Sequence, residues 1–364
     1  MGMLCIIIIS FLIGNLECSK GVAVAASERV PALFVFGDSL VDVGNNNFLS
    51  SIAKSNYFPY GIDFNMRSTG RFSNGKTFVD IIGEMLGVPY PAAFADPNSV
   101  GVKLLGGVNY ASAAAGILDE SGQHYGARYS LSQQVVNFES TLDQLKTMME
   151  SSNLTNFLGK SIAILVFGSN DYINNYLMPS MYSSSYTYNP SQFGNLLLNN
   201  YARQLWALYS LGLRKFFIAG IGPIGCIPNQ RATGQAPPGR CVDYVNQILG
   251  TFNQGLKSIA DQLNRRPGAT VAIGNTYGAV GDILNNPSTY GFNVVDRGCC
   301  GIRNQGQITC LPYAYPCSNR KEYVFWDAFH PTQAVNEILA RRAFYGPPLD
   351  SYPINIQQMT LINY

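Results

Sequence analysis

Histidine is nearly absent from this chain: two residues, His124 and His330, occur among 364. Two imidazoles far apart supply no recognisable ligand set, so no metal site emerges. Charged side chains are sparse as well, at 13%, with a net charge of +2 and no Lys/Arg cluster, which leaves nucleic-acid binding by phosphate neutralisation without support. That low charge beside 47% hydrophobic residues excludes a disordered chain and indicates a large buried core. Beyond the amino terminus no stretch is long and apolar enough to span a bilayer. Internal repeats and linkers are missing too, which favours one domain over residues 27–364.

What the amino terminus has is M-G-M-L-C-I-I-I-I-S-F-L-I-G followed by the small-residue stretch G-V-A-V-A-A-S. The apolar run is too short for a membrane span and reads as a secretory signal, residues 1–26, cleaved around Ala25 or Ala26. An uncleaved anchor is the rival, opposed by the run's length and by Glu17 and Lys20. A secreted, extracellular protein without an integral span is the expectation. Removal of the signal takes Cys5 and Cys18 with it and leaves an even set in a chain bound for an oxidising compartment, where disulfides are the natural reading. Cys226 and Cys241 bracket a Pro/Gly-rich loop and are the expected partners. Cys299, Cys300, Cys310 and Cys317 crowd together, and their connectivity stays open; a zinc cluster there has neither a nearby histidine nor paired C-x-x-C spacing. Asn153-Leu154-Thr155 is a glycosylation sequon that the secretory route makes usable, at Asn153.

Near-continuous apolar runs recur: P-A-L-F-V-F-G-D, G-V-N-Y-A-S, S-I-A-I-L-V-F-G, K-F-F-I-A-G-I-G and A-T-V-A-I-G-N. Such runs fit strands buried on both faces of a parallel sheet. Helical spacing predicts helices over 76–86, 131–149, 192–211, 241–264 and 332–344. The alternation indicates a doubly wound α/β layer structure. A Tyr/Ser/Asn-rich irregular segment follows Asp171, where loops at the carboxyl ends of strands collect ligands.

Chemistry concentrates at those strand ends. Ser39, in V-F-G-D-S-L, follows a sharp turn at Gly37, with a helix expected soon after and backbone N–H groups close enough to hold an oxyanion. A helix-capping serine is the plain alternative. Asn170, in V-F-G-S-N-D-Y, can donate its amide to the same charge, or be an ordinary Asx-turn residue. Gly116, closing N-Y-A-S-A-A-A-G-I, can offer a backbone N–H, or be a simple turn glycine. Asp327 lies three residues before His330, close enough to orient its ring. A serine needs a base, and only His124 in a polar Gly-rich loop competes with His330. Nucleophile Ser39, base His330 and orienter Asp327 therefore form the candidate triad, with Ser39, Gly116 and Asn170 as candidate oxyanion donors.

With F-G-D-S-L-V-D-V-G-N-N-N, G-R-F-S-N-G, G-V-N-Y-A-S-A-A-A-G-I, G-S-N-D-Y, G-I-G-P-I-G-C-I-P and W-D-A-F-H-P-T in order, the chain resembles the plant GDSL esterase/lipases of the SGNH hydrolase superfamily. The resemblance covers nearly the whole mature chain. It implies a flavodoxin-like three-layer α/β/α sandwich with a central parallel sheet, an α/β fold distinct from the α/β-hydrolases, whose nucleophile sits in G-x-S-x-G. It also implies Ser39 as nucleophile, Asp327 and His330 as its partners, and Gly116 and Asn170 beside the Ser39 N–H. The Gly116 block is alanine-rich, and neighbouring positions could serve in its place. Hydrolysis of carboxylic esters, small-molecule or acyl-lipid, without a cofactor is the expected activity, in the apoplast or cell wall if the source is a plant. Transfer of the acyl group to an alcohol, building extracellular polyester, and a catalytically silent binding protein are the two rivals.

Overall fold

The computed structural model describes residues 30–301 and 309–362, so the expected signal over 1–26 lies outside the described residues, as do Cys5 and Cys18. Strand β1 (Leu33–Gly37) is buried along its whole length, and its side chains alternate between two cores. Phe34 and Phe36 enter one with Phe138, Leu165 and Phe216. Leu33 and Val35 enter the other with Val79, Ile82 and Phe344. A strand apolar at every position needs cover on both faces, and that requirement produces three layers.

The main sheet adds β2 (Ala92–Ala93), β3 (Val108–Asn109), β4 (Ile162–Val166), β5 (Lys215–Ala219), β6 (Thr270–Gly274) and β9 (Ser351–Tyr352), in the spatial order β2-β3-β1-β4-β5-β6-β9. All pairings are parallel except β6 with β9. Taken alone, β3, β1, β4, β5 and β6 have the doubly wound flavodoxin-like order, whose switch point falls between β1 and β4 and opens a crevice at their carboxyl ends. A separate parallel pair, β7 (Val294–Gly298) and β8 (Tyr323–Phe325), stands outside this sheet.

Four expected helices appear with shifted ends: Phe78–Leu86, Leu131–Met148, Pro190–Ser210 and Gln333–Tyr345. Capping boxes set two of the starts, Thr77 with Asp80 and Asn189 with Gln192. The helix expected over 241–264 is instead two, Asp243–Ile248 and Gly250–Leu263, divided beside Gly250, glycine being the weakest ordinary helix former. Helices Ser151–Lys160 and Thr276–Asn285 were not anticipated.

Two expectations near the switch point require correction. Only Val108–Asn109 of the 107–112 run is strand; just beyond it the Asn45 amide takes the Ala111 carbonyl, where a further strand would pair. No helix starts soon after Ser39 either. Asp38 accepts the Leu40 N–H and Asp42 those of Gly44 and Asn45, so carboxylates hold this backbone in turns until the short 3-10 turn Asn45–Phe48. Cys226 bonds Cys241 as expected, and the open connectivity resolves as Cys299–Cys317 and Cys300–Cys310.

Candidate active site

Ser39 follows β1 at the switch point. The turn that presents it needs glycine: a Cβ on Gly37 would come within 2.4 Å of Val41 and 2.9 Å of the Val166 carbonyl. Gln134 fixes this turn from below, accepting the Gly37 N–H at 2.9 Å and donating to its carbonyl at 2.8 Å. Asp38 is fully buried beside the serine, and desolvation pushes its carboxyl up to about 7 against the opposing Leu40 N–H and the nearby His330.

The opposite wall comes from the carboxyl-terminal part of the chain. After β8 the backbone closes on itself, Trp326 N–H donating to the His330 carbonyl at 2.8 Å, so Asp327 and His330 share a single turn. Cys299 and Cys300 brace it by donating their N–H groups to the carbonyls of Phe325 and Trp326. Asp327 is fully buried and receives the backbone N–H groups of Phe329 and His330 at 2.8 Å each. Its two oxygens lie 2.8 and 2.9 Å from His330 Nδ1. Burial alone would raise this carboxyl, but His330, Tyr60 and the Phe329 N–H outweigh it and hold the group below its ordinary value. His330 Nε2 then lies 2.8 Å from Ser39 Oγ. Nδ1 against a carboxylate and Nε2 against a hydroxyl is the arrangement in which an imidazole can remove a serine proton.

The G-R-F-S-N-G block supports the histidine. Phe72 packs on the His330 ring, Asn74 Oδ1 accepts the Gln333 N–H at 2.9 Å, and Arg71 forms a buried two-pronged ion pair with Asp80 at 2.7 Å. The loop is thereby tied to helix Phe78–Leu86.

Ser39 and His330 open into a cavity of about 190 Å³ walled mainly by apolar side chains, among them Ile173, Ile224, Val280, Phe329 and Val335. Asn170, just beyond β4, lines it; its amide donates to the Ala115 carbonyl at 3.0 Å, which leaves a second amide hydrogen. Gly116 is not among the lining residues. Ala113 and Ala114 are, and Ala114 is a non-glycine in the left-handed region, with φ of 65°. The N–H groups of Ser39 and Ala114 meet no acceptor among the described residues. Gly116 instead packs tightly: a Cβ there would lie 2.5 Å from Asp171 Oδ1. Asp171 accepts the N–H groups of Ile117 and Leu118 and the Ser121 hydroxyl, clasping the Ala114 loop to the end of β4.

His124 is held by the Tyr182 hydroxyl at 2.8 Å and is not part of the triad geometry. Asn153 is exposed on helix Ser151–Lys160. Among the described residues no three His, Cys, Asp or Glu side chains are grouped to hold a metal ion, and no helix is long and apolar enough to cross a membrane. Sequence reasoning missed Tyr60, whose hydroxyl donates to Asp327 Oδ2 at 2.6 Å. It also missed Gln134; both lie outside all six ordered blocks, whereas Ala114 falls in the alanine-rich block whose neighbouring positions were left open.

A doubly wound sheet carrying a Ser-His-Asp constellation at its switch point defines a serine-hydrolase type of site. The GDSL-like lipase/acylhydrolase family model matches residues 33–343, and this chain belongs to that family. It is similar to three Arabidopsis thaliana proteins. GDSL esterase/lipase At1g71250 is 67% identical over 93% of this chain and 91% of its own length. GDSL esterase/lipase At5g08460 is 56% identical over 91% and 87%, and GDSL esterase/lipase At1g29670 is 51% identical over 92% of each. The chain is a carboxylic ester hydrolase of the GDSL class.

Proposed function

We propose that the enzyme cleaves acyl-lipid esters outside the cell by a two-step acyl-enzyme route, with Ser39 as nucleophile, His330 as general base and Asp327 as its orienter. The observation that carries this is the unbroken chain of contacts from Asp327 through His330 to Ser39 Oγ. As Ser39 Oγ bonds to the ester carbonyl carbon, its proton passes to His330 Nε2. Collapse of the tetrahedral adduct breaks the carbon–alkoxy bond, and His330 returns the proton to the leaving alkoxide. Water, deprotonated by the same nitrogen, then releases the acid and regenerates Ser39.

The oxyanion is received by the N–H groups of Ser39 and Ala114 and by the Asn170 amide, each donor of this kind contributing about 3 kcal/mol. Ala114 is preferred here to the expected Gly116, a reading supported by its place in the cavity wall, where Gly116 is not found. The predominantly apolar wall favours an acyl chain as the bound part of the substrate. Secretion, with residues 1–26 removed, a single domain over 27–364 and a glycan on Asn153, is supported by the amino-terminal run, the three disulfides and the exposure of that asparagine.

The test is Ser39→Ala. Turnover of a short-chain p-nitrophenyl ester and labelling by a fluorophosphonate probe should both vanish while the circular dichroism spectrum and melting temperature stay unchanged. Retained labelling in that variant would overturn the nucleophile assignment.

A further inference from the structure

We infer that Tyr60 is a positioning residue of this active site, acting on catalysis through the carboxylate of Asp327. The inference rests on the triad roles proposed above, and it assigns work to a side chain that lies 267 positions away in sequence.

Asp327 has four donors in five contacts around its two oxygens. Oδ1 takes the Phe329 and His330 N–H groups and faces Nδ1, while Oδ2 faces Nδ1 and takes the Tyr60 hydroxyl at 2.6 Å. Without Tyr60, Oδ2 would have the imidazole as its only partner, in a site from which water is excluded. A carboxylate held by one oxygen can swing about its Cβ–Cγ bond, and the imidazole would follow it. The tyrosine locks that rotation and settles which lone pairs Nδ1 meets.

The hydroxyl is itself aimed. Its oxygen accepts the Cys310 backbone N–H at 3.2 Å, so its proton is directed toward Asp327. The ring is fully buried among Tyr57, Phe72 and Trp326 in edge-to-face contacts, which leaves it no alternative rotamer without displacing that cluster. Cys310 is fixed in turn by its disulfide to Cys300, whose N–H donates to the Trp326 carbonyl one residue before Asp327. The support therefore runs in a closed loop from Asp327 through Tyr60, Cys310 and Cys300 back to Trp326. A purely structural tyrosine could direct its hydroxyl to any carbonyl in this satellite core, as Tyr57 does to Cys310 at 2.7 Å. Tyr60 gives its proton to the carboxylate that is hydrogen-bonded to His330 Nδ1.

The charged and titratable groups surrounding this centre are Asp38, which faces His330, and Tyr57, which faces both Tyr60 and Asp327. Both remain in a Tyr60→Phe variant, so a change in pH behaviour reports the lost hydroxyl. A carboxylate deprived of a donor holds its proton and its neighbouring imidazolium more tightly. The coupled pair then stays protonated to higher pH.

The experiment compares Tyr60→Phe, Tyr57→Phe and Ser39→Ala on a soluble short-chain ester across the pH range. Tyr57→Phe is the matched control: it too removes a hydroxyl bonded to Cys310 but takes no hydrogen bond from Asp327. For Tyr60→Phe, kcat should fall about ten-fold or more with KM within about two-fold, and the acid limb of kcat/KM should move to higher pH. Tyr57→Phe should hold kcat within about three-fold of the parent and leave the limb in place. An unmoved acid limb and parental kcat in Tyr60→Phe, or the same loss and the same shift in Tyr57→Phe, would overturn the inference. If Ser39→Ala keeps its turnover, the triad reading itself has failed; if Ser39→Ala is dead and Tyr60→Phe keeps the parental kcat and acid limb, only the role of Tyr60 has.

Discussion

The ring of Phe72 lies against the imidazole of His330, their centroids 4.9 Å apart and their planes inclined by 37°. Phe72 belongs to the loop that Arg71 ties to Asp80, so the face of the base is set by a segment far from it in sequence. With Asp327 at its Nδ1 edge and Phe72 on its face, His330 has one ring orientation, and that orientation points Nε2 at Ser39.

Replacing the orienter should therefore be costly. In Asp327→Asn the amide can donate to Nδ1 and stabilise the tautomer whose Nε2 carries the hydrogen, so the base has no free lone pair for Ser39. A loss of about 10⁴-fold in kcat is expected, from steady-state assays, with near-native circular dichroism.

On the proposed roles, an oxyanion donor and the packing beneath the Ala114 loop can be tested separately. Asn170→Ala should lower kcat by about 10²–10³-fold. Gly116→Ala places a Cβ against Asp171 and Ser121 and should cost about 1–3 kcal/mol of stability, read as a lower melting temperature. If Gly116→Ala leaves the melting temperature unchanged, the tight packing assigned to that position is wrong.

Stability should respond to pH in an uncommon direction. Burial pushes Asp38 up to about 7 and Asp42 and Asp171 up to about 6, from an ordinary 3.8. Each binds its proton more tightly in the folded chain than in the unfolded one. Their contribution is fully present below about pH 4 and is lost as pH rises through about 6 to 7. Asp327, shifted the other way, acts only at more acid pH. The melting temperature should rise between about pH 8 and about pH 5, and Asp38→Asn should flatten that slope. A melting temperature that falls over this interval would contradict the assignment.

Acyl-chain preference offers a further check. Val280 lines the cavity away from Ser39's own loop, so Val280→Phe should narrow the apolar wall without touching the triad. The expected result is a fall in the rate on an octanoate ester relative to an acetate ester; equal losses on both would place the chain elsewhere.

The parts legible in the sequence share a local signature. Leu33–Gly37 and Ile162–Val166 read as buried strands because they are short, apolar throughout and bounded by glycine or small polar residues. Ser39 and His330 could be paired because imidazole is so rare here. Tyr60 could not: it is one of 22 tyrosines, and its importance lies in a hydroxyl direction that only the fold creates. Ala114 could be narrowed only to its alanine-rich block, since a left-handed φ on alanine leaves no mark in the residue type. The division of the 241–264 helix and the missing helix after Ser39 both reflect local backbone contacts that outweighed periodicity.

The separation of 291 residues between Ser39 and His330 has a consequence for biosynthesis. On the proposed roles, the alcohol leaves the ribosome roughly 15–60 s before its activating imidazole, at ~5–20 residues per second. Throughout that interval the serine is an ordinary hydroxyl. Translation order thus acts as a built-in safety catch, released only when the tail of the polypeptide has been made and docked.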